Sequence, residues 1–299
     1  MTKVLCIGIA TLDYVYAVDE IPADAQKKYR AYDLITVGGG TAASAANAIA
    51  KLGGEAVLAT RLGGDAVGRD IIAELAAAGV DCTLARRFAD CRSPCSAVFV
   101  DRAGERLVTC YADESTPDDA SWLPDRLPDR TGAVLADVSW VTGAIRMLAA
   151  ARAAGIPSVI DGDRLVADRT YFDQASHVAY STETVCELAG IGDPRKALEK
   201  LARRAPNWIA VTDGPRGVWF TDAGAIAHEP AFQVEVVDTL GAGDVFHGAM
   251  ALALGEGMGE RAAVRFANAA AALKCSRFGG GRLGAPSRAE VEALLRERA

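Results

Sequence analysis

The sequence predicts a doubly wound α/β fold: a mostly parallel sheet with helices on both faces. Three observations carry this. Short apolar runs recur along the 299 residues, most followed by a helical stretch. Several runs, such as Val4 to Ile9, are apolar without alternation, the pattern of strands covered on both faces. Glycine clusters at Gly38–Gly40 and Gly241–Gly243 stand directly before helical stretches. With 51% hydrophobic residues, the chain can bury one large core or two smaller ones.

In chain order, Val4 to Ile9 is the first buried strand. Tyr14 to Val18 and Lys28 to Val37 mix polar and apolar residues around a Pro22-Ala23-Asp24 turn, so they read as exposed strands outside the main sheet. Gly38–Gly40 opens an Ala-rich helix that ends near Gly53-Gly54. Ala56 to Thr60 is a strand and Val67 to Ala78 a helix. Ala97 to Val100 and Arg106 to Tyr111 form a hairpin across a turn at 101–104. Ala133 to Val138 is a strand, and Gly143 to Ala154 is a helix stopped by Gly155. Pro157 to Asp161 is a strand, and Thr182 to Ala189 and Pro194 to Arg204 are helices. Trp208 to Thr212 and the alternating run Phe232 to Val237 are strands. Helices follow over Ala242 to about Gly255, Glu260 to Lys274 and Arg288 to Arg296. No repeat or interdomain linker interrupts the pattern, which predicts one domain over 1–299. The polar strands at about 13–37 and 96–111 suit a small β lid over the sheet's C-terminal edge, where such folds bind ligands.

Formal charge is −7, with both signs interspersed and no basic stripe, which argues against nucleic acid as a partner. The opening segment reads as a buried strand rather than a signal peptide. No run reaches the ~18 apolar residues of a membrane span. Seven cysteines without a C-x-x-C spacing predict reduced thiols in a cytoplasmic protein. The G-x-x-x-x-G-K-[ST] loop and the protein-kinase H-R-D and D-F-G motifs are missing.

The chemistry centres on Asp238-Thr239-Leu240-Gly241-Ala242-Gly243-Asp244-Val245-Phe246. The Gly241, Ala242 and Gly243 amides lie at the start of a helix, where unpaired N–H groups and partial positive charge suit a phosphate. Asp244 in the same turn is placed to take a proton from an attacking hydroxyl. The structural alternative is that its charge simply stabilises the helix end.

The full string resembles the D-T-x-G-A-G-D-x-F signature of the PfkB (ribokinase-like) carbohydrate kinases. The resemblance implies an anion hole at Gly241–Gly243 and a catalytic base at Asp244. It extends to Gly38-Gly39-Gly40 with Leu52-Gly53, implying that Gly39 and Gly40 approach the sugar. Ser44 stands where many members carry a sugar-binding Asn. Asp13 would bind substrate hydroxyls. Thr212-Asp213-Gly214 to Gly217 resembles the family's T-x-G-x-x-G nucleotide loop, implying ATP contacts at Thr212, Gly214 and Gly217, with Asn268 and Gly280 flanking the adenine. Ser181-Thr182-Glu183-Thr184 departs from the family's N-x-x-E motif for Mg²⁺, leaving Asp161 and Glu183 as acidic groups acting through water. A monovalent cation, K⁺, would sit at the Asp238–Thr239 carbonyls. His247 reads as a packed helix histidine, with a catalytic role as the alternative.

The resemblance thus implies an ATP-dependent kinase acting on a primary hydroxyl of a ketose or pentose, and a homodimer formed through the lid. Within the family the closest likeness is to sulfofructose kinases, in Val134 to Val138, Asp161-Gly162-Asp163 and Arg265-Phe266-Ala267. Cys110 and Ser139, however, stand where those enzymes place an Asn and an Arg on the sulfonate, with Lys28 as the remaining cation. That favours an uncharged sugar over 6-deoxy-6-sulfofructose; a nucleoside is a further alternative. The non-enzyme alternative is a sugar or nucleotide sensor on the same fold.

Overall fold

The computed structural model describes every residue except 25, 103, 104 and 299. The first half of the chain runs β1 (Lys3–Ile7), β2 (Thr11–Ala17), β3 (Asp33–Gly39), α1 (Thr41–Lys51), β4 (Glu55–Gly63), α2 (Ala66–Ala77), β5 (Ala85–Phe88), β6 (Cys95–Val100) and β7 (Arg106–Tyr111). It continues with β8 (Thr131–Ala136), α3 (Val141–Ala154), β9 (Ser158–Gly162), β10 (His177–Ser181), α4 (Thr182–Ala189), α5 (Pro194–Ala202) and β11 (Trp208–Thr212). The last part is β12 (Val218–Asp222), β13 (Ala225–Glu229), α6 (Ala242–Gly255), α7 (Glu260–Cys275), α8 (Gly280–Gly284) and α9 (Arg288–Glu297).

Nine strands form the main sheet in the order β13-β12-β11-β10-β9-β8-β1-β4-β5. All neighbours from β11 to β5 pair in parallel, and β12 and β13 close one edge antiparallel. From β1 the chain builds outward to β4 and β5, then returns to build β8 to β11 on the other side. The order therefore reverses between β1 and β8, which opens a crevice beyond their C-terminal ends. Alternation along β1 feeds both faces. Val4 and Cys6 join the core with α1, α6 and α7, while Leu5 and Ile7 join the core with α3, α4 and α5. Helix α6 is buried from Val245 through Leu254, between α1 and α7.

The smaller sheet, β3-β2-β6-β7, lies apart from the main one, as the polar strands predicted. Two residues of the expected turn at 101–104, namely 103 and 104, lie outside the described ones. No helix among the described residues is long and apolar enough to cross a membrane.

The strand expected over Phe232 to Val237 does not form; 231–237 carries no strand pairing. Its alternating apolar side chains face a cavity instead of a sheet neighbour, and Val236 is largely exposed. The local strands are β12 and β13, just upstream, which the sequence patterning does not mark, nor does it mark β5, β10 and α8. All five are short, and β5 and β13 lie on sheet edges, so they carry little apolar signal; β10 is central and buried, but its apolar run is only Val178-Ala179-Tyr180 between His177 and Ser181.

Candidate active site

Helix α6 begins as expected, with Gly241 as its N-cap in the left-handed conformation at φ 77°. Any Cβ at Gly241 would fall 2.4 Å from Gly281 N, so glycine is required by both backbone angle and space. The Ala242 N–H donates to Thr239 O at 3.2 Å. The Gly243 and Asp244 amides lie in the first turn, where a helix supplies no intrahelical acceptor, and Gly243 is exposed. Asp244 is partly buried. Desolvation, reinforced by the charges of Asp161 and Asp163, pushes its carboxyl up to about 8; His247 and a hydrogen bond from Ser44 pull the other way.

One turn on, His247 is buried and its two ring nitrogens meet only oxygen acceptors. Nδ1 lies 2.7 Å from Gly243 O and 2.9 Å from Asp161 Oδ2, while Nε2 lies 3.0 Å from Ala179 O. Neither neutral tautomer can donate at both nitrogens, so the ring is an imidazolium. Burial opposes that charge, but Asp161 and the two carbonyls outweigh it and lift the imidazole to about 9. His247 is thus more than the packed residue expected: it ties the first turn of α6 to β9 and β10. The same contact engages Asp161, expected near a metal, on His247.

Asp137, just past the end of β8, is a second buried acid. Its carboxylate accepts from the amides of Ile9 at 2.8 Å, Ser139 at 2.7 Å and Ala42 at 3.3 Å. It thereby fixes the loop after β1, the loop after β8 and the start of α1 around the crevice. The sequence reading did not single it out. The available signal was an acid directly after a continuous apolar strand, at the end of the sheet where such folds bind ligands.

Asp13 lies on β2, with Thr11 Oγ1 donating to it at 2.8 Å; burial raises its carboxyl against that bond. The register pairs Thr11 with Gly39, and a Cβ on Gly39 would fall 2.0 Å from the Asp13 carboxylate, while Gly40 lies against the backbone of Ile9 to Thr11. Ser44, in α1, bonds Asp244 and packs on Gly281. Asp13, Gly39, Ser44 and Asp244 are therefore gathered where the crevice meets the smaller sheet. Lys28 is not among them; it is exposed in the segment between β2 and β3.

On the other side of Gly243, a cavity of about 460 Å³ is lined by Thr212, Gly214, Gly217, Phe232, Asn268 and Ala272, among others. Four of the five residues expected at a nucleotide line it. Gly280 does not. Its N–H donates to Asp238 Oδ2 at 2.9 Å, at the start of α8. Helix α8 is anchored from the far end of the chain. Asn47 Nδ2 donates to Arg282 O at 2.9 Å, and Lys51 Nζ donates to the carbonyls of Arg282 and Leu283 at 2.9 and 3.1 Å. Buried Arg282 in turn donates to Gly39 O at 2.9 Å and pairs with Glu74 at 3.1 Å.

Asp238 also receives Leu240 N at 2.8 Å, Gly279 N at 3.2 Å and the ammonium of Lys274 at 2.9 Å. Burial opposes ionisation, yet these donors hold its carboxyl below the usual range. Lys274 Nζ donates to Asp238 O as well, at 2.6 Å. The K⁺ expected here finds its carbonyl and carboxylate already engaged. From the smaller sheet, Arg106 reaches Thr239 Oγ1 at 2.8 Å.

The Ser181–Thr184 departure has a local explanation. Ser181 Oγ caps α4 by accepting from Thr184 N at 3.1 Å and donates to Thr184 Oγ1 at 2.9 Å, so the pair satisfies itself. Glu183 is exposed. Asp163, beside Asp161, is raised to about 6 by desolvation and by that neighbour's charge. No cluster of three or more His, Cys, Asp or Glu able to hold a metal forms among the described residues.

A family model described as pfkB family carbohydrate kinase matches residues 1–288. The chain is 29% identical to a ribokinase of Bacillus subtilis over 298 residues, covering 99% of this chain and 100% of that one. It is 31% identical to an ATP-dependent ribose-1-phosphate kinase of Halopiger xanaduensis over 304 residues, 100% of this chain and 99% of the other. Among solved structures, a provisionally assigned ribokinase from Agrobacterium tumefaciens superposes with a TM-score of 0.92. That pair shares 38% identity and covers 99% and 98% of the two chains.

Proposed function

This chain belongs to the pfkB family of carbohydrate kinases and is an ATP-dependent sugar kinase; we propose that its acceptor is the primary hydroxyl of an uncharged ketose or pentose. The observation that carries the chemistry is Asp244 in the first turn of α6, its carboxyl lifted to about 8 beside exposed helix amides. A base with a pKa near the working pH combines the right protonation state with useful driving force. In the proposed step, Asp244 takes the proton of the sugar hydroxyl. The freed oxygen attacks the γ-phosphorus of ATP in line as the bond to the β-phosphate oxygen breaks, leaving ADP. The Gly243 and Asp244 amides hold the spreading negative charge, in a helix turn braced by His247.

ATP is read into the cavity lined by Thr212, Gly214, Gly217 and Asn268, whose small and apolar walls suit a flat base. Mg²⁺ needs few protein ligands, because it keeps waters and borrows phosphate oxygens. It would supply charge neutralisation on the phosphates. Asp163 and Glu183 are the carboxylates left to hold its waters, since Asp161 is engaged by His247. Asp13, Gly39, Gly40 and Ser44 are read as the sugar contacts. The smaller sheet is read as a lid and as the contact with a second copy: its edge strand β7 is exposed throughout and presents Leu107, Val108 and Tyr111. Seven unpaired cysteines suit a cytoplasmic location.

A second reading, a sugar carrying an anion, is favoured by one observation. Arg61 donates to Ser139 O at 3.3 Å and Arg164 to Ser139 Oγ at 2.9 Å, beside the crevice. Two guanidiniums thus reach the position where the sequence lacks an Arg. Arg61 is also spent on Pro117 O and Asp118, which leaves Arg164 as the more available cation.

ADP release measured across ribose, fructose, sulfofructose, a phosphosugar and adenosine tests these readings. The highest kcat/KM should belong to an uncharged sugar. Sulfofructose or a phosphosugar as the best substrate, with loss of that preference in Arg164→Ala, would install the second reading. Binding without turnover for every sugar would leave the sensor.

A further inference from the structure

Lys274 lies in the last turn of α7 and its side chain is completely buried. A lysine pays a high desolvation cost in such a place and is rarely found there unpaired. Its ammonium is held by two oxygens of one residue, Asp238 O at 2.6 Å and Oδ2 at 2.9 Å. The same carboxylate collects the amides of Leu240, Gly279 and Gly280. These donors come from two loops. One, at 238–241, leads into the first turn of α6; the other, at 279–281, packs against Gly241 so closely that no Cβ fits between them. A carbonyl and a carboxylate converging in a buried pocket between two loops is donor chemistry suited to a monovalent cation. Here the cation is covalently part of the chain.

We infer that Lys274 is a tethered monovalent cation, holding the 238–241 and 279–281 loops together so that the protein needs no K⁺. The resemblance implies K⁺ at the Asp238–Thr239 carbonyls; the residues present do not fit it. A metal ion and the Lys274 ammonium would compete for the same two oxygens, and the ammonium cannot diffuse away. The inference rests on the proposed function only for its activity readout, and the melting readout below is independent of it.

The test compares chloride salts of K⁺, Na⁺ and tetramethylammonium at equal ionic strength, since the last is too large for such a pocket. For the wild-type protein, melting temperature and sugar-phosphorylation rate should be the same in all three. For Lys274→Met, melting temperature and rate should fall in tetramethylammonium. Saturating K⁺ should then raise its melting temperature by about 5–10 °C, the range expected when a ligand binds only the folded state. Specific stabilisation or several-fold activation of the wild type by K⁺ overturns the inference. So does a folded Lys274→Met protein that ignores K⁺. Should Lys274→Met not fold, Lys274→Gln takes its place and the wild-type series still decides. Should no sugar be phosphorylated, the proposed function fails while the melting series stands.

Discussion

The cavity under Phe232 and the crevice around Asp244 share the first turn of α6 but are built from different materials. The cavity walls are backbone and small or apolar side chains: Gly214, Gly217, Phe232, Ala271, Ala272. None of the described residues that line it is an Asp, Glu, Lys or Arg, so it selects by shape. The crevice side holds Asp137, Asp161, Asp163, Asp244 and the His247 imidazolium, several of them buried and mutually shifted. It works by charge held in low dielectric, where each unit is felt strongly. Errors of volume should therefore damage the first region, and errors of charge the second.

The sharpest way to break the comparison is Asp244→Asn, which keeps the volume and removes the proposed base. Turnover should fall by ~10²-fold or more with ATP affinity nearly unchanged, the usual scale of general-base catalysis. A kcat within a few-fold of wild type would sink the assignment.

His247→Gln comes next. It leaves Asp161 buried without its cation, and unfolding by urea should show a loss of about 3–5 kcal/mol, as for other broken buried pairs. The pH dependence follows by linkage. His247 is raised from 6.5 to about 9, so its stabilising contribution is full below pH 6.5 and is lost as pH rises through 9. Asp244, raised from 3.8 to about 8, acts in the same sense over its own window. Wild-type stability should thus decline from weakly acidic to alkaline pH, and the part above pH 6.5 should shrink in His247→Gln. Activity runs the other way: kcat/KM should climb with pH until about 8 as Asp244 ionises, and should then level off.

Ala272→Leu probes the cavity by volume alone. The added carbons would occupy the space proposed for the base, so KM for ATP should rise about tenfold while kcat holds, the signature of lost uniform binding. A matching fall in kcat would mean that the two regions are not separable. The smallest effect is expected from Lys28→Ala. With an uncharged sugar, kcat/KM should change by less than about twofold, because an isolated exposed charge contributes little. A large loss would show that Lys28 swings into the crevice on closure.

The sequence disclosed the frame more readily than the wiring. Continuous apolar runs marked β1, β8 and β11 because strands covered on both faces have no polar side to hide them. The smaller sheet announced itself by mixed polarity. The same periodicity misled at Phe232 to Val237, since a side chain facing an empty cavity looks like one facing a core. Within the site, Asp244 and the glycine turn were legible because local spacing creates a helix end. His247, Asp137 and Lys274 were not, because each has a decisive partner far along the chain: Asp161 lies 86 residues from His247, Ile9 and Ala42 lie 128 and 95 from Asp137, and Asp238 lies 36 from Lys274. Lysine in a helix is also read as solvent-facing by default, and only packing against Asp238 reveals otherwise.

The anchoring of α8 has a consequence for how the chain matures. Asn47 and Lys51 wait on carbonyls that lie 231 to 235 residues further along the sequence. Synthesis proceeds from the N-terminus, so the glycine turn at Gly38–Gly40 is made long before Arg282 emerges to bind Gly39 O. Contacts of such separation close late because the intervening loop must be ordered first. A nascent or C-terminally clipped chain can therefore own a formed sheet and an intact Asp244 yet lack the brace on its Gly38–Gly40 turn. Competence would arrive as a final fastening step, and loss of α8 and α9 alone would remove that fastening while leaving α7 in the core.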